Sequence, residues 1–224
     1  MNKIYGNSHV IESNQKEIHK DLEAYLAKYS LTNYQRPVAS FSKELWEEIL
    51  GFCQGKSIIF DLGCGIGESS YNLAKIYPDS YIVGIDKSIS RLERKNDFKE
   101  SENERVKLYR GELLDIIPLI YSAYSEAKID IRMIFVLYPN PWPKKHHIKR
   151  RFYASPVSVF LFNTHVPIVF RSNWKLYLEE TEAAALFFKR KNQGVESLNL
   201  SEFITPFERK YSQSGQSIYE LKIL

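Results

Sequence analysis

Residues Ser57–Gly67 read SIIFDLGCGIG. The first six are short, apolar and β-branched, which predicts a buried strand over Ser57–Leu62. Three glycines follow at every second position, and a helical pattern, ESSYNLAKI, runs over Glu68–Ile76. Strand, glycine turn and helix make the first unit of an α/β sheet. The glycines Gly63, Gly65 and Gly67 let the backbone turn tightly and come close to a ligand. Their spacing is GxGxG, not the GxGxxG of dinucleotide sites. Asp61 stands two positions before the first glycine. A carboxylate there repels a pyrophosphate but suits an ammonium or sulfonium group. Asp86, at the end of the next strand, is placed to accept from ribose hydroxyls, and Glu112, after the third, to border an adenine. S-adenosylmethionine fits all three. An NAD site and a plain tight connection stay open as alternatives at this point.

The alternation continues outward. Strands are expected at Tyr81–Ile85, Val106–Tyr109, Ile129–Leu137 and Val166–Phe170, with helices at Ser88–Lys99, Leu113–Tyr121 (despite Pro118) and Leu176–Phe188. Glu202–Tyr211 and Ser217–Leu224 read as two late strands, joined by a hairpin turn at Ser212–Gly215. The stretch Ala154–His165, ASPVSVFLFNTH, is β-rich and glycine-free. On the N-terminal side, Ile18, Leu22, Tyr25, Leu26 and Tyr29 fall on one helical face. Phe41–Phe52 reads as a helix with Ser40 or Ser42 as N-cap. The chain divides into an N-terminal helical extension, residues 1–50, and one domain, residues 51–224. Its sheet is parallel with an antiparallel edge.

Composition excludes several classes. With 44% hydrophobic and 26% charged residues the chain is globular in type. No apolar run reaches the ~18 residues a spanning helix needs, so no membrane partner is expected. The polar N-terminus has no signal-peptide core, which points to the cytoplasm. Two cysteines, Cys53 and Cys64, make neither a disulfide framework nor a metal site. Oligomeric state is left as monomer or homodimer.

The formal net charge is +4, yet Lys144, Lys145, Lys149, Arg150 and Arg151 put five cations within eight residues. Removing them leaves −1. Basicity is therefore a local patch, of the kind that meets nucleic acid. It follows a stiff loop, since Pro139, Pro141 and Pro143 bar helix interior and central strand alike. The adjacent His146 and His147 have no cysteine or carboxylate partner at ligand spacing, so they read as polar members of the basic run, with no metal.

At this point the chain resembles a known family. DLGCGIG with GIDKS looks like the class I S-adenosylmethionine-dependent methyltransferases. LYPNPWPKKHHIKRR, residues 137–151, is similar to the PDPWPKKRHHKRR signature of the tRNA (guanine-N7)-methyltransferases. SNWKLY at 172–177 is similar to that family's TDWExY, and TPFE at 205–208 to its TKFE. The resemblance implies a Rossmann-like fold: a central, mostly parallel seven-stranded sheet with an antiparallel C-terminal strand and helices on both faces. It implies that Asp61, Asp86 and Glu112 hold S-adenosylmethionine, and that Asn140 stands at the family's central aspartate, between cofactor and guanine. Lys144, Asn173 and the segment with Thr205, Phe207 and Glu208 would line the guanine pocket. Lys145, His146, His147, Lys149, Arg150 and Arg151 would grip tRNA. Family aspartates are replaced at Asn140 and Asn173, which also fits a non-catalytic or retargeted RNA-binding relative that keeps the cofactor pocket.

Overall fold

The computed structural model describes residues 8–94 and 103–224. Seven strands form one sheet: β1 (Ser57–Leu62), β2 (Tyr81–Asp86), β3 (Val106–Arg110), β4 (Asp130–Leu137), β5 (Ile168–Ser172), β6 (Asn192–Leu198) and β7 (Ile218–Ile223). Their spatial order is β3-β2-β1-β4-β5-β7-β6. Strands β1 to β5 are parallel, and β7 enters antiparallel between β5 and β6. The order reverses between β1 and β4. At such a switch point the crevice beyond the carboxyl ends of the strands is the natural ligand site. The ends of β1, β2 and β4 carry the glycine turn, Asp86 and the proline loop.

The helices are α1 (Leu22–Leu31), α2 (Ser40–Cys53), α3 (Glu68–Ile76), α4 (Ile89–Leu92), α5 (Leu113–Ser125), α6 (Ser158–Phe162), α7 (Lys175–Phe187) and α8 (Pro206–Gln213). Two 3-10 helices cover Lys145–Arg150 and Phe152–Ala154. Strand alternation feeds a core on each face of the sheet. Ile58 and Phe60 pack in a cluster with residues of α1, α2, α5 and α7, while Ile59 packs in a second with Leu73 and Ala74 of α3. The N-terminal helices contribute Leu22, Leu26, Trp46 and Ile49 to the first cluster, so they share the domain's core.

Several sequence expectations shift. Helix α1 begins at Leu22, and Ile18 is half exposed ahead of it. Residue Ala39 occupies the N-cap of α2; Ser42 instead donates to the buried Asp115 at 2.9 Å. Helix α4 is four residues long, and the rest of the expected Ser88–Lys99 helix runs into residues outside those described. Pro118 does lie inside α5: it cannot donate to Leu114, and the Tyr34 hydroxyl donates to that carbonyl at 2.8 Å. The β-rich stretch Ala154–His165 forms α6 and turns at His165 in the left-handed region. Glu202–Tyr211 is not a strand. Thr205 accepts from the Glu208 N–H and Glu208 accepts from the Thr205 N–H, a capping box that starts α8 with Pro206 in its first turn. The partner of β7 on the sheet edge is β6, whose largely polar, half-buried to exposed residues carry no apolar alternation.

Behind the proline loop sits a buried ion pair. Arg151 and Glu180 are both fully buried and bonded to each other. The Glu180 carboxylate also accepts from the Tyr153 hydroxyl, from Gln15 Nε2 at 2.6 Å and from the His19 N–H at 2.8 Å. Arg151 Nε donates to the Trp142 carbonyl at 3.2 Å. One pair therefore ties together α7, the loop and the N-terminal segment. Removing one member strands a buried charge. Glu180→Leu is expected to destabilise by about 3–5 kcal/mol, whereas Arg151→Met with Glu180→Leu is expected to recover the part due to the stranded Arg151 charge but not the part due to the donors of Gln15, His19 and Tyr153. Denaturant unfolding of the single and double variants checks this; additive losses would contradict it.

Candidate active site

A cavity of about 360 Å³ opens at the switch point. That lies within the ~300–1,000 Å³ range usual for small-molecule sites. One side is lined by Gly63, Asp86, Lys87, Arg91, Glu112 and Leu113, and the far side by Tyr138, Pro139, Asn140, Trp142 and Arg150. Residues from four strand ends thus meet in one space.

The glycine turn is shaped as the sequence implies. Gly63 and Gly65 have φ of 86° and 61°, and open space lies where a Cβ would stand on either. Gly67, with φ 90°, serves packing, since a Cβ there would come within 2.4 Å of Leu108 Cδ1. Gly84 in β2, which sequence reading did not single out, is equally constrained: its Cβ would meet Ser70 Oγ at 2.5 Å and Leu108 Cδ2 at 2.6 Å. Asp86 accepts from the Gly65 N–H at 2.9 Å and the Ser88 N–H at 2.8 Å, so the carboxylate is fixed against the turn while it borders the cavity. Glu112 caps α5 by accepting from the Leu114 N–H, which aims its carboxylate at the same space. These groups fit an adenosine with a flexible, cationic tail.

Asp61 lies deeper. It is 1% exposed and does not line the cavity. Ser69 and Ser70 donate to its Oδ2 at 2.5 and 2.7 Å, while Oδ1 is buried without a partner. A cationic group could complete that acceptor. Burial pushes the Asp61 carboxyl up to about 6, the two serine hydroxyls pull it down, and the charge of Asp86 adds to the rise.

The loop that closes the far side is strained. Tyr138 and Trp142 sit in the left-handed region with φ of 52° and 45°. Bulky residues there cost about 1–3 kcal/mol each and persist only when their surroundings hold them. The Tyr138 N–H donates to the Arg171 carbonyl at 2.9 Å, and Arg151 holds the Trp142 carbonyl. Arg150 lies 4.8 Å over the Trp142 ring, with His147 edge-on to it at 5.5 Å. Asn140, between the two strained residues, is exposed at the cavity.

The remaining expected site residues divide. Lys144, Lys145, His146, Lys149 and Arg150 are exposed beside the loop, and His147 is half-buried against Trp142. Arg151 is a correction: it is fully buried in its pair with Glu180 and offers nothing to RNA. Glu208 is another. It is fully buried, caps α8 with one oxygen and pairs with Arg171 at 2.9 Å with the other, so no base edge reaches it in this conformation. Thr205 is buried in the same cap. Asn173 does not line the cavity; it donates to Gln216 at 2.8 Å. Phe207 is exposed and stacks on Tyr138 at 5.8 Å, which puts an aromatic face at the cavity's edge.

A family model described as "Putative methyltransferase" matches residues 55–221. The chain belongs to that methyltransferase family. The methyltransferase is 27% identical over 215 residues to the tRNA (guanine-N(7)-)-methyltransferase of Enterococcus faecalis, covering 88% of this chain and 92% of the relative. Among solved structures, an antibiotic-related methyltransferase superposes with a TM-score of 0.56 at 16% identity, covering 84% of this chain and 97% of the other. A 16S rRNA (adenine(1408)-N(1))-methyltransferase from Catenulisporales acidiphilia gives 0.51 at 15%, covering 80% and 89%. The structural likenesses establish the fold. No helix among the described residues is long and apolar enough to cross a membrane, and no group of three His, Cys, Asp or Glu there could hold a metal.

The raised Asp61 carboxyl sets a pH dependence. Its folded pKa of about 6 exceeds the ordinary 3.8, so protonated Asp61 favours the fold. That contribution is full below about pH 4 and is lost as pH rises through about 6. In the cofactor-free methyltransferase, the Tm difference between wild type and Asp61→Asn is expected to move against the wild type across that window. A difference flat with pH would contradict the assignment.

Proposed function

We propose that this methyltransferase moves a methyl group from S-adenosylmethionine to N7 of a guanine in tRNA, in the cytoplasm. The observation that carries the reading is the single cavity that unites Gly63, Asp86 and Glu112 with Asn140, Trp142 and Arg150. The similarity to the Enterococcus faecalis enzyme supports the choice of guanine N7.

When bound, S-adenosylmethionine supplies an electrophilic methyl group on a sulfonium centre. The protein's own residues do the rest. Asp86 would accept the ribose hydroxyls, and Glu112 would border the adenine. Guanine N7 carries a free lone pair, so no side chain needs to remove a proton before attack. Catalysis comes from holding N7 in line with the methyl group. Asn140, on the strained loop, meets the developing positive purine with an amide oxygen where a carboxylate would add charge. Phe207 and Tyr138 offer aromatic faces to a base splayed out of the RNA stack. Lys144, Lys145, His146, Lys149 and Arg150 contact phosphates, so tRNA binding weakens steeply with salt.

A second reading is favoured by two observations: Asn140 is uncharged, and the Glu208 carboxylate is committed to α8 and Arg171. On that reading the chain is a non-catalytic or retargeted RNA binder that keeps its cofactor pocket.

Incubation with labelled S-adenosylmethionine and bulk tRNA, followed by nucleoside analysis, separates them. The expected product is 7-methylguanosine. Cofactor binding without that product would favour the second reading. Asn140→Asp is expected to raise the rate constant by up to ~100-fold, since one such electrostatic contact is worth about 3 kcal/mol; no rise would remove the charge argument.

A further inference from the structure

A second cleft, of about 470 Å³, lies on the other side of the 3-10 helix Lys145–Arg150. Its walls are His19, Lys20, Asp21 and Tyr25 from the N-terminal segment and Lys145, His146, Ile148 and Lys149 from the basic run. Three residues per turn divide that run. His147 and Arg150 share one face and pack against Trp142 at the active-site cavity. The other two faces, with Lys145, His146, Ile148 and Lys149, turn to the cleft.

The cleft is cationic and its cations are uncommitted. Lys20, Lys145 and Lys149 have no carboxylate within 4.0 Å among the described residues. Its one acid, Asp21, lies 3.9 Å from His19. The His19 Nδ1 accepts from the Asp21 N–H, and burial lowers its pKa, so the lysines supply the fixed charge. Lys149 Nζ sits 4.8 Å over the Tyr25 ring, which positions the ammonium without neutralising it.

The two walls are also preset. Ser13 Oγ donates to the Pro143 carbonyl at 2.6 Å, and Asn14 Oδ1 accepts from the Lys145 N–H at 3.2 Å. Glu180 holds Gln15 and the His19 N–H from behind. No wall has to be ordered when a ligand arrives, which lowers the cost of binding.

We infer that this cleft seats a backbone phosphate of the tRNA, with Lys20 of the N-terminal segment and Lys145 and Lys149 of the basic run as its contacts. The inference rests on the RNA-modifying function proposed above and extends the RNA surface to the N-terminal segment. A polymeric polyanion fits better than a free anion, because one short helix presents cations both to the cleft and, through Arg150, to the active-site cavity. Only a chain of phosphates engages both at once.

Lys20 touches neither cofactor nor base, so it tests the cleft alone. tRNA binding is measured against salt, with KM and kcat for tRNA, for wild type, Lys20→Ala, Lys20→Arg and the remote control Lys43→Ala. Lys20→Ala is expected to raise KM several-fold at low salt and to lower the slope of log K against log salt by about one. Its kcat and S-adenosylmethionine affinity stay unchanged, and Lys20→Arg retains the wild-type slope. If wild type binds and methylates tRNA while Lys20→Ala behaves like Lys43→Ala, the cleft assignment alone is wrong. If wild type binds no tRNA, the functional reading and the cleft fall together. If it binds without methylating, the slopes still decide the cleft.

Discussion

Arg151 and Glu180 face each other where water cannot reach either charge. An isolated buried ion is costly, and a buried pair is held by the hydrogen bonds that fill its remaining capacity. Glu180 is filled by four donors, Arg151, the Tyr153 hydroxyl, Gln15 Nε2 and the His19 N–H, whereas Arg151 bonds through Nε and Nη1 and leaves Nη2 buried without a partner. Each donor comes from a part of the chain that would otherwise have little reason to stay in register. The N-terminal segment lies against α7 because of Gln15 and His19. The proline loop stays in place because Arg151, fixed by Glu180, holds the Trp142 carbonyl. Position and charge are linked here: the residue that locks the loop cannot also greet the RNA.

That lock makes the strain of the loop sustainable. Tyr138 and Trp142 both adopt left-handed backbone, and between them Asn140 is turned toward the cavity. Pro139, Pro141 and Pro143 narrow the loop's choices further by fixing φ. The result is a rigid partition. On one side lie the glycine turn, Asp86 and Glu112. On the other lie the cations of the 3-10 helix, split between the active-site cavity and the cleft shared with Lys20. On the proposed function, methyl transfer to a lone pair needs no acid or base, so alignment across this partition is the main thing the protein has to provide.

Much of this was legible in the residues. SIIFDLGCGIG marked strand and turn because β-branched apolar residues and left-handed glycines admit few alternatives, and ESSYNLAKI marked the helix that follows. Asp86 and Glu112 could be placed because strand ends in a parallel sheet converge. The edge of the sheet was harder. β6 is largely polar and none of its residues is fully buried, so no periodicity marks it, and the pattern points to a strand at Glu202–Tyr211 instead. There the signal for α8 was present: Thr205 with Glu208 three residues on, and Pro206 between them, spell a capping box. Arg151 and Glu208 misled for one shared reason. A basic run reads as solvated and a motif glutamate as a ligand, but burial depends on what folds over them. The partners that bury them, Glu180 and Arg171, are distant in sequence. The capture of residues 13–19 by Pro143, Lys145 and Glu180 was likewise invisible, since a polar segment with no period shows no docking partner.

The central claim is that one locked loop separates the proposed cofactor chamber from the proposed RNA surface and serves both. Amide hydrogen exchange of the protein alone, with S-adenosylhomocysteine, and with tRNA tests it most directly. The cofactor product should protect residues 63–65, 86–88 and 112–114 together with the loop at 138–142. tRNA should protect 144–150 and 19–25 and slow exchange in the same loop. Two protected regions that do not meet at 138–142 would contradict the account.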